Sequence, residues 1–308
     1  MNSIIMLIMV MIMIMVSVAF FTLFERKLMS LFHYRKGPNK ISFNGLLQPF
    51  SDAFKLLTKE YFYPNKSNMY FYILSPLLML ILTLMMWLLY PFFFNLFNFK
   101  LSFLFFLSVM SMNVYSLMMG GWASNSTFSM IGAIRSVAQS ISYEVTFAIS
   151  MLIPLLLINS LNLHKMIFYT TWFPLMMYMV TLIVLISMLA EINRTPFDLT
   201  EGESELVSGF NVEYGSGKFT LIFLAEYSTL MFMMMIFTLM FLFTNSISIM
   251  FYLISMIMMY FITWVRMTFP RIRYDMLMYL CWFYLLPFIL LKFMLILYVK
   301  WLLKMLIN

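Results

Sequence analysis

Eight stretches of this chain are apolar over lengths close to the roughly 20 residues that a helix needs to cross a bilayer. They run at about 2–24, 70–90, 101–120, 134–158, 173–190, 219–242, 248–265 and 282–302. In hydrocarbon each backbone N–H and C=O must be satisfied within the segment, so such runs fold as helices. The expectation is an all-α, polytopic membrane protein: eight transmembrane helices in a single membrane domain over residues 1–308. With 64% hydrophobic and 10% charged residues, a soluble domain is excluded, since those average about 25% charged. Ser17-Val18-Ala19 resembles a signal-peptide cleavage site, but no basic segment precedes it and the apolar run continues to Phe24. No Arg-rich amphipathic presequence precedes that run either, and the 36 Met and 35 Phe against 9 Gly fit an AT-rich organelle genome with extra Met codons. Synthesis inside the organelle is the expectation.

Basic residues set the orientation. Most of the 19 Lys and Arg fall in or beside the odd-numbered connections: eight between Arg26 and Lys66, then Arg135, Arg194, Lys218, Arg266, Arg271 and Arg273. Lys100, Lys165, Lys300 and Lys304 fall on the other side. The positive-inside rule then turns the odd-numbered loops toward the cytoplasm or mitochondrial matrix. Within the first loop, Leu46, Phe50, Phe54, Leu57 and Tyr61 recur at spacings of three and four, with Pro49 suited to a first turn. Residues 46–61 are therefore expected to form an amphipathic helix lying in the membrane surface.

The acidic residues are concentrated. Glu191, Asp198, Glu201, Glu203, Glu205 and Glu213 are half of the chain's 12, gathered in a loop over 191–218 between apolar runs. Glu201, Glu203 and Glu205 alternate, so mutual repulsion is expected to raise some of their pKa values. Glu144 and Glu226 fall inside spans, where a charge costs about 2.5–3.5 kcal/mol and therefore faces the bundle interior, a partner or water. Around Glu144, Ser136, Gln139, Ser140 and Tyr143 form a polar stripe with Arg135 at its edge. The stripe suits a proton path, or helix-to-helix hydrogen bonding alone. Arg194 stands three residues beyond Glu191, a spacing for an ion pair if the helix continues that far, which Pro196 opposes. Lys292, in the last run, is expected to snorkel. The loop with Arg266, Arg271, Arg273 and Asp275 suits topology or docking.

Several chemistries are excluded. One cysteine, Cys281, allows neither an internal disulfide nor a four-thiolate iron-sulfur cluster. His33 and His164 lie on opposite sides of the expected topology and cannot together ligate haem. No dinucleotide-binding turn, P-loop or nucleophile elbow occurs, and no metal site is expected. A redox role must therefore consist in receiving a diffusible carrier. A secondary transporter would be expected to carry an internal repeat, and none is visible. A purely structural anchor does not call for carboxylates within the spans.

ERKLMSLFHYRKGPNK, LQPFSDAFKLLTKE, GWASNSTFSMIGAIRSVAQSISYEV, AEINRTPFDLTEGESELVSGFNVEY, FLAEY and FPRIRYDMLM follow in that order. Together they resemble, from about residue 20 to 290, the subunit 1 family of the membrane arm of mitochondrial NADH:ubiquinone oxidoreductase, respiratory complex I. The resemblance implies a multi-pass protein of the mitochondrial inner membrane with odd-numbered loops in the matrix. It implies a subunit that docks the peripheral redox arm, with ubiquinone as substrate and no cofactor of its own, FMN and iron-sulfur clusters being held by partner subunits. Other complex I subunits, ubiquinone and lipid are the implied partners, and no nucleic acid. By the same resemblance, Glu25, Arg26, Asp52, Arg271 and Arg273 would line or rim the ubiquinone chamber. Glu191, Asp198, Glu201, Glu203, Glu205 and Glu213 would begin a proton path that Glu144, Glu226, Arg135 and Arg194 continue or tune. Ile192, Ser30, His33 and Phe283 depart from the family pattern, Ile192 removing a hydroxyl beside the path and Phe283 a positive charge.

Overall fold

The computed structural model describes residues 2–90, 99–168, 177–199, 209–242, 245–246 and 248–307, and among these there are helices and turns but no strands. The helices are α1 (Asn2–Phe32), α2 (Gln48–Thr58), α3 (Met69–Trp87), α4 (Ser102–Ala123), α5 (Thr127–Ile158) and α6 (Tyr178–Glu191). After them come α7 (Ser216–Phe237), α8 (Ile249–Thr268), α9 (Tyr274–Tyr279) and α10 (Leu286–Ile307). A π-helical turn, Thr238–Leu242, prolongs α7, and a second, Leu280–Leu285, joins α9 to α10.

Seven of these units are long and apolar enough to cross a membrane, against the eight expected. The difference lies at the fifth run. Its helix, α6, has 14 residues, and residues 173–176 of that run are outside those described. Elsewhere the helices outrun their apolar cores. α1 continues through Glu25, Arg26 and Lys27 to Phe32, and α5 begins at Thr127 rather than 134, which puts Arg135 inside it. Apolarity marks only the buried length of a helix; backbone hydrogen bonding carries it on into the polar region. α5 stops at Asn159, whose left-handed backbone (φ 60°) lets its N–H close on the carbonyls of Leu155 and Leu156.

α7 is at the centre, packed on α1, α2, α3 and α8, while α5 packs on α4, α6 and α10. Aromatic rings join these layers. Phe106 of α4 meets Phe147 of α5 and Phe232 of α7, each at 5.8 Å between ring centres, and Trp87 of α3 lies 5.5 Å from Phe232. α2 occupies much of the expected 46–61 segment, with Pro49 in its first turn. It packs on α1 and α7, while Leu46, Phe50, Phe54, Leu57 and Tyr61 stay exposed. Ion pairs gather at the corner where α1 meets α2, α8 and the turn after α6.

Candidate functional site

Glu25 organises that corner. It lies on the polar extension of α1, 3% exposed, and accepts a hydrogen bond from the Tyr227 hydroxyl of α7 at 2.6 Å. Arg266, in the last turn of α8, donates to its other oxygen. Arg194 follows at 3.9 Å, its guanidinium stacked 4.4 Å over the Tyr227 ring. Burial alone would push the Arg194 guanidinium down; Tyr227 and Glu25 outweigh it and hold the group above its ordinary range. One carboxylate thus ties α1, α7, α8 and the turn after α6. The condition for a Glu191–Arg194 pair, a helix continuing to Arg194, is not met. α6 ends at Glu191, and Asn193, with φ 55°, turns the chain so that Arg194 reaches Glu25 instead.

Beside Arg194 and Arg266 is a cavity of about 60 Å³ whose charged lining is Glu191, Arg194, Asp198, Glu226 and Arg266. Ser140, Asn193, Thr195 and Thr229 add polar atoms, and Ile192 also reaches it. Glu191 Oε2, Asn193 Oδ1, Arg194 Nη2 and Thr195 Oγ1 are buried without a hydrogen-bond partner among the described residues. Buried polar atoms are nearly always satisfied, by protein or by water. One water needs about 10–15 Å³ of such volume and two to four polar neighbours, so this cavity can hold several. Glu144, on α5, is near enough to Glu191 for the two carboxylates to repel. Glu191, Asp198, Glu226 and Arg194 are thereby brought together, with Glu144 alongside.

Other expected site residues stand apart from the cavity. Arg26 pairs with Asp52 at 2.5 Å, and Gln48 donates to the same carboxylate at 3.0 Å, fastening α1 to α2. Arg271 pairs with Asp198 at 3.2 Å, and the Ile272 N–H donates to the Pro196 carbonyl, so the α8–α9 turn holds the turn after α6. Arg273 pairs with Asp275 at the surface and, with Arg135, borders an open depression. Glu213 presents its backbone carbonyl to the Tyr72 hydroxyl. Next to it, Tyr214 stacks on Tyr72 at 4.4 Å and shares a 2.9 Å hydrogen bond with Ser75. Burial pushes the Tyr214 hydroxyl up to about 12, so it stays a donor. Glu201, Glu203 and Glu205 lie outside the described residues.

The polar stripe of α5 divides in function. Gln139 donates to the carbonyls of Ala190 and Phe197 at 2.8 and 2.9 Å, and Tyr143 to that of Leu277 at 3.0 Å, so both brace neighbouring elements. Ser136 bonds back to its own helix, and Ser140 alone of the four lines the cavity. Tyr227, and Arg266 as a partner of Glu25, were not foreseen. The one available signal was the FLAEY segment, which sets Tyr227 beside Glu226; nothing local relates either residue to position 25.

The family model described as NADH dehydrogenase matches residues 5–297. NADH-ubiquinone oxidoreductase chain 1 of Aedes aegypti is 50% identical over 260 residues, covering 84% of this chain and 83% of its own length. The chain 1 protein of Anopheles gambiae gives the same identity and coverage. That of Locusta migratoria is 48% identical over 261 residues, again 84% and 83% of the two chains.

Proposed function

Since the chain belongs to the NADH dehydrogenase family and is a subunit of NADH-ubiquinone oxidoreductase, we propose that its polar corner couples ubiquinone reduction to proton movement. The observation that carries this reading is the cavity that gathers Glu191, Arg194, Asp198, Glu226 and Arg266 around buried polar atoms short of partners. Carboxylates and water in one enclosure exchange protons, and a change of charge at the quinone alters which of them holds one. The chain carries no redox centre; electrons arrive through FMN and iron-sulfur clusters of partner subunits, with ubiquinone as the substrate.

On this reading Glu25 and the Arg26–Asp52 pair stand at the inner edge of the quinone chamber, with Arg271 and Arg273 at its rim. α2 lies in the membrane surface as the chamber's outer wall, its exposed Phe50, Phe54 and Leu57 meeting lipid or the quinone tail. Glu191, Asp198 and Glu226, with Glu144 beside them, begin the proton path; Glu201, Glu203, Glu205 and Glu213 complete its entrance, and Arg135 and Arg194 tune it. The odd-numbered loops face the matrix across the mitochondrial inner membrane and dock the peripheral arm, while neighbouring membrane-arm subunits receive the path. The whole chain acts as one membrane domain.

Glu191→Gln in the intact complex tests the assignment, because it removes the charge and keeps the shape. Expected are normal assembly and normal NADH oxidation by an artificial acceptor at the flavin, with quinone-linked proton translocation strongly reduced. An unchanged ratio of protons moved to quinone reduced would remove the cavity from the path.

A further inference from the structure

The end of the bundle away from the polar corner has an unbalanced charge. Every one of the 12 acidic residues falls within 25–60, at 144, within 191–226 or at 275. None lies in the chain around Lys100 or Lys165, or beyond Asp275, where Lys292, Lys300 and Lys304 follow. Of the charged side chains, this end therefore carries only basic ones, with no acidic side chain near them in sequence to neutralise them.

Two of these lysines line an apolar groove of about 510 Å³ between the last turn of α5, the first turn of α6 and α10. Its walls include Leu157, Val180, Leu295, Ile296, Val299 and Leu303. Leu295, Val299 and Leu303 are exposed on the outward side of α10, so the groove is continuous with the face that a membrane helix turns to lipid. Lys300 stands at its end and donates to the Leu156 carbonyl at 2.7 Å, which fixes the ammonium and leaves further N–H groups to donate. Lys292 lies two turns nearer the centre, about 12 Å along the axis at 1.5 Å per residue. Its ammonium is 5.5 Å from the Phe288 ring, and no carboxylate pairs with it among the described residues.

We propose that this groove is a binding site for an anionic phospholipid, its acyl chain along the aliphatic wall, its phosphate held by Lys300, and the charge of Lys292 farther along the wall adding to the attraction. An apolar wall of this kind suits a hydrocarbon chain, and two ammonium groups with no acidic counterpart suit a phosphate. An acidic helix of a neighbouring subunit would need the same cations but gains less from a groove open to the lipid face. The site lies at the other end of the bundle from the polar corner, so it stands whether or not the proton path is correctly assigned.

The test uses the intact complex, partly stripped of lipid and refilled with either photoreactive phosphatidylglycerol or photoreactive phosphatidylcholine of the same chain length. After illumination, labelled peptides are mapped. Phosphatidylglycerol is expected to label the 292–304 segment several-fold more than phosphatidylcholine does. Lys292→Gln and Lys300→Gln are each expected to reduce that preference by about fivefold, the factor that roughly 1 kcal/mol per basic residue near a charged headgroup corresponds to. Lys292→Arg should restore it. Equal labelling by the two lipids, a preference unchanged in both Gln variants, or cross-linking of the groove to another subunit in place of lipid would each overturn the proposal.

Discussion

Lys218 is 5% exposed, yet its ammonium has no hydrogen-bond partner among the described residues. What it has instead are two ring faces, Tyr63 at 3.5 Å and Tyr72 at 4.1 Å. Desolvated cation–π contacts are worth about 2 kcal/mol, while taking an ion out of water costs several even after relaxation. The balance goes against the charge. Lys218→Met, which keeps length and loses the ammonium, should leave the thermal stability of the purified complex unchanged or raise it. Tyr63→Leu with Lys218 retained should lower it, and adding Lys218→Met to Tyr63→Leu should recover most of the loss. Scanning calorimetry decides; a loss in Lys218→Met as large as that in Tyr63→Leu would sink the argument. In the sequence Lys218 counts only as one more basic residue at the inner end of a run. The cage is invisible there because Tyr63 and Tyr72 are about 150 positions away. The carboxylates within the spans stand out more readily in the sequence, since a charge there has to face the bundle interior, a partner or water.

Helix packing rests on a few close approaches that no apolarity profile reveals. A Cβ at Gly121 of α4 would fall 2.2 Å from the Cβ of Ala133 and 3.0 Å from the Ser129 carbonyl oxygen, both on α5. Neither atom belongs to a flexible side-chain end, so the helices would have to separate. Small residues at such crossings let membrane helices approach closely. Gly121→Val should therefore lower the amount of assembled complex on native gels, while Gly215→Ala, where nothing lies within 4 Å, should leave it unchanged. Equal assembly of the two variants would mean that the α4–α5 contact is looser than its geometry implies. At this scale the sequence served well for the long runs, because about 20 apolar residues admit little besides a helix. It served poorly at their ends and at the fifth run. Arg135 and Glu25 interrupt apolarity without interrupting a helix, and α6 leaves its run at Glu191 because Asn193 and Pro196 turn the chain toward Glu25 and α8.

At the scale of the molecule, Glu25 acts as a keystone between α1, α7, α8 and the turn after α6. Removing one member of a buried ionic cluster costs about 3–5 kcal/mol, because the remaining charges stay buried without compensation. Glu25→Ala strands Arg266 and Arg194 together, whereas Tyr227→Phe removes a single hydrogen bond to a charged acceptor, worth about 1.5–3 kcal/mol. Glu25→Ala should consequently lower the melting temperature of the assembled complex more than Tyr227→Phe does, and the reverse order would show that the arginines find other anions. The length of α5 has a consequence of a different kind. Its 32 residues extend about 48 Å at 1.5 Å each, against a hydrocarbon layer of about 30 Å, and the usual range of tilt, up to about 40°, does not absorb the excess. From Ser140, at the cavity, to Ile158 the helix rises about 27 Å, so nearly the full thickness of insulating oil lies between the polar chamber and the opposite face. On the proposed reading, a charge admitted at the cavity would face that thickness within this subunit, and its shorter route would lead sideways into the neighbours.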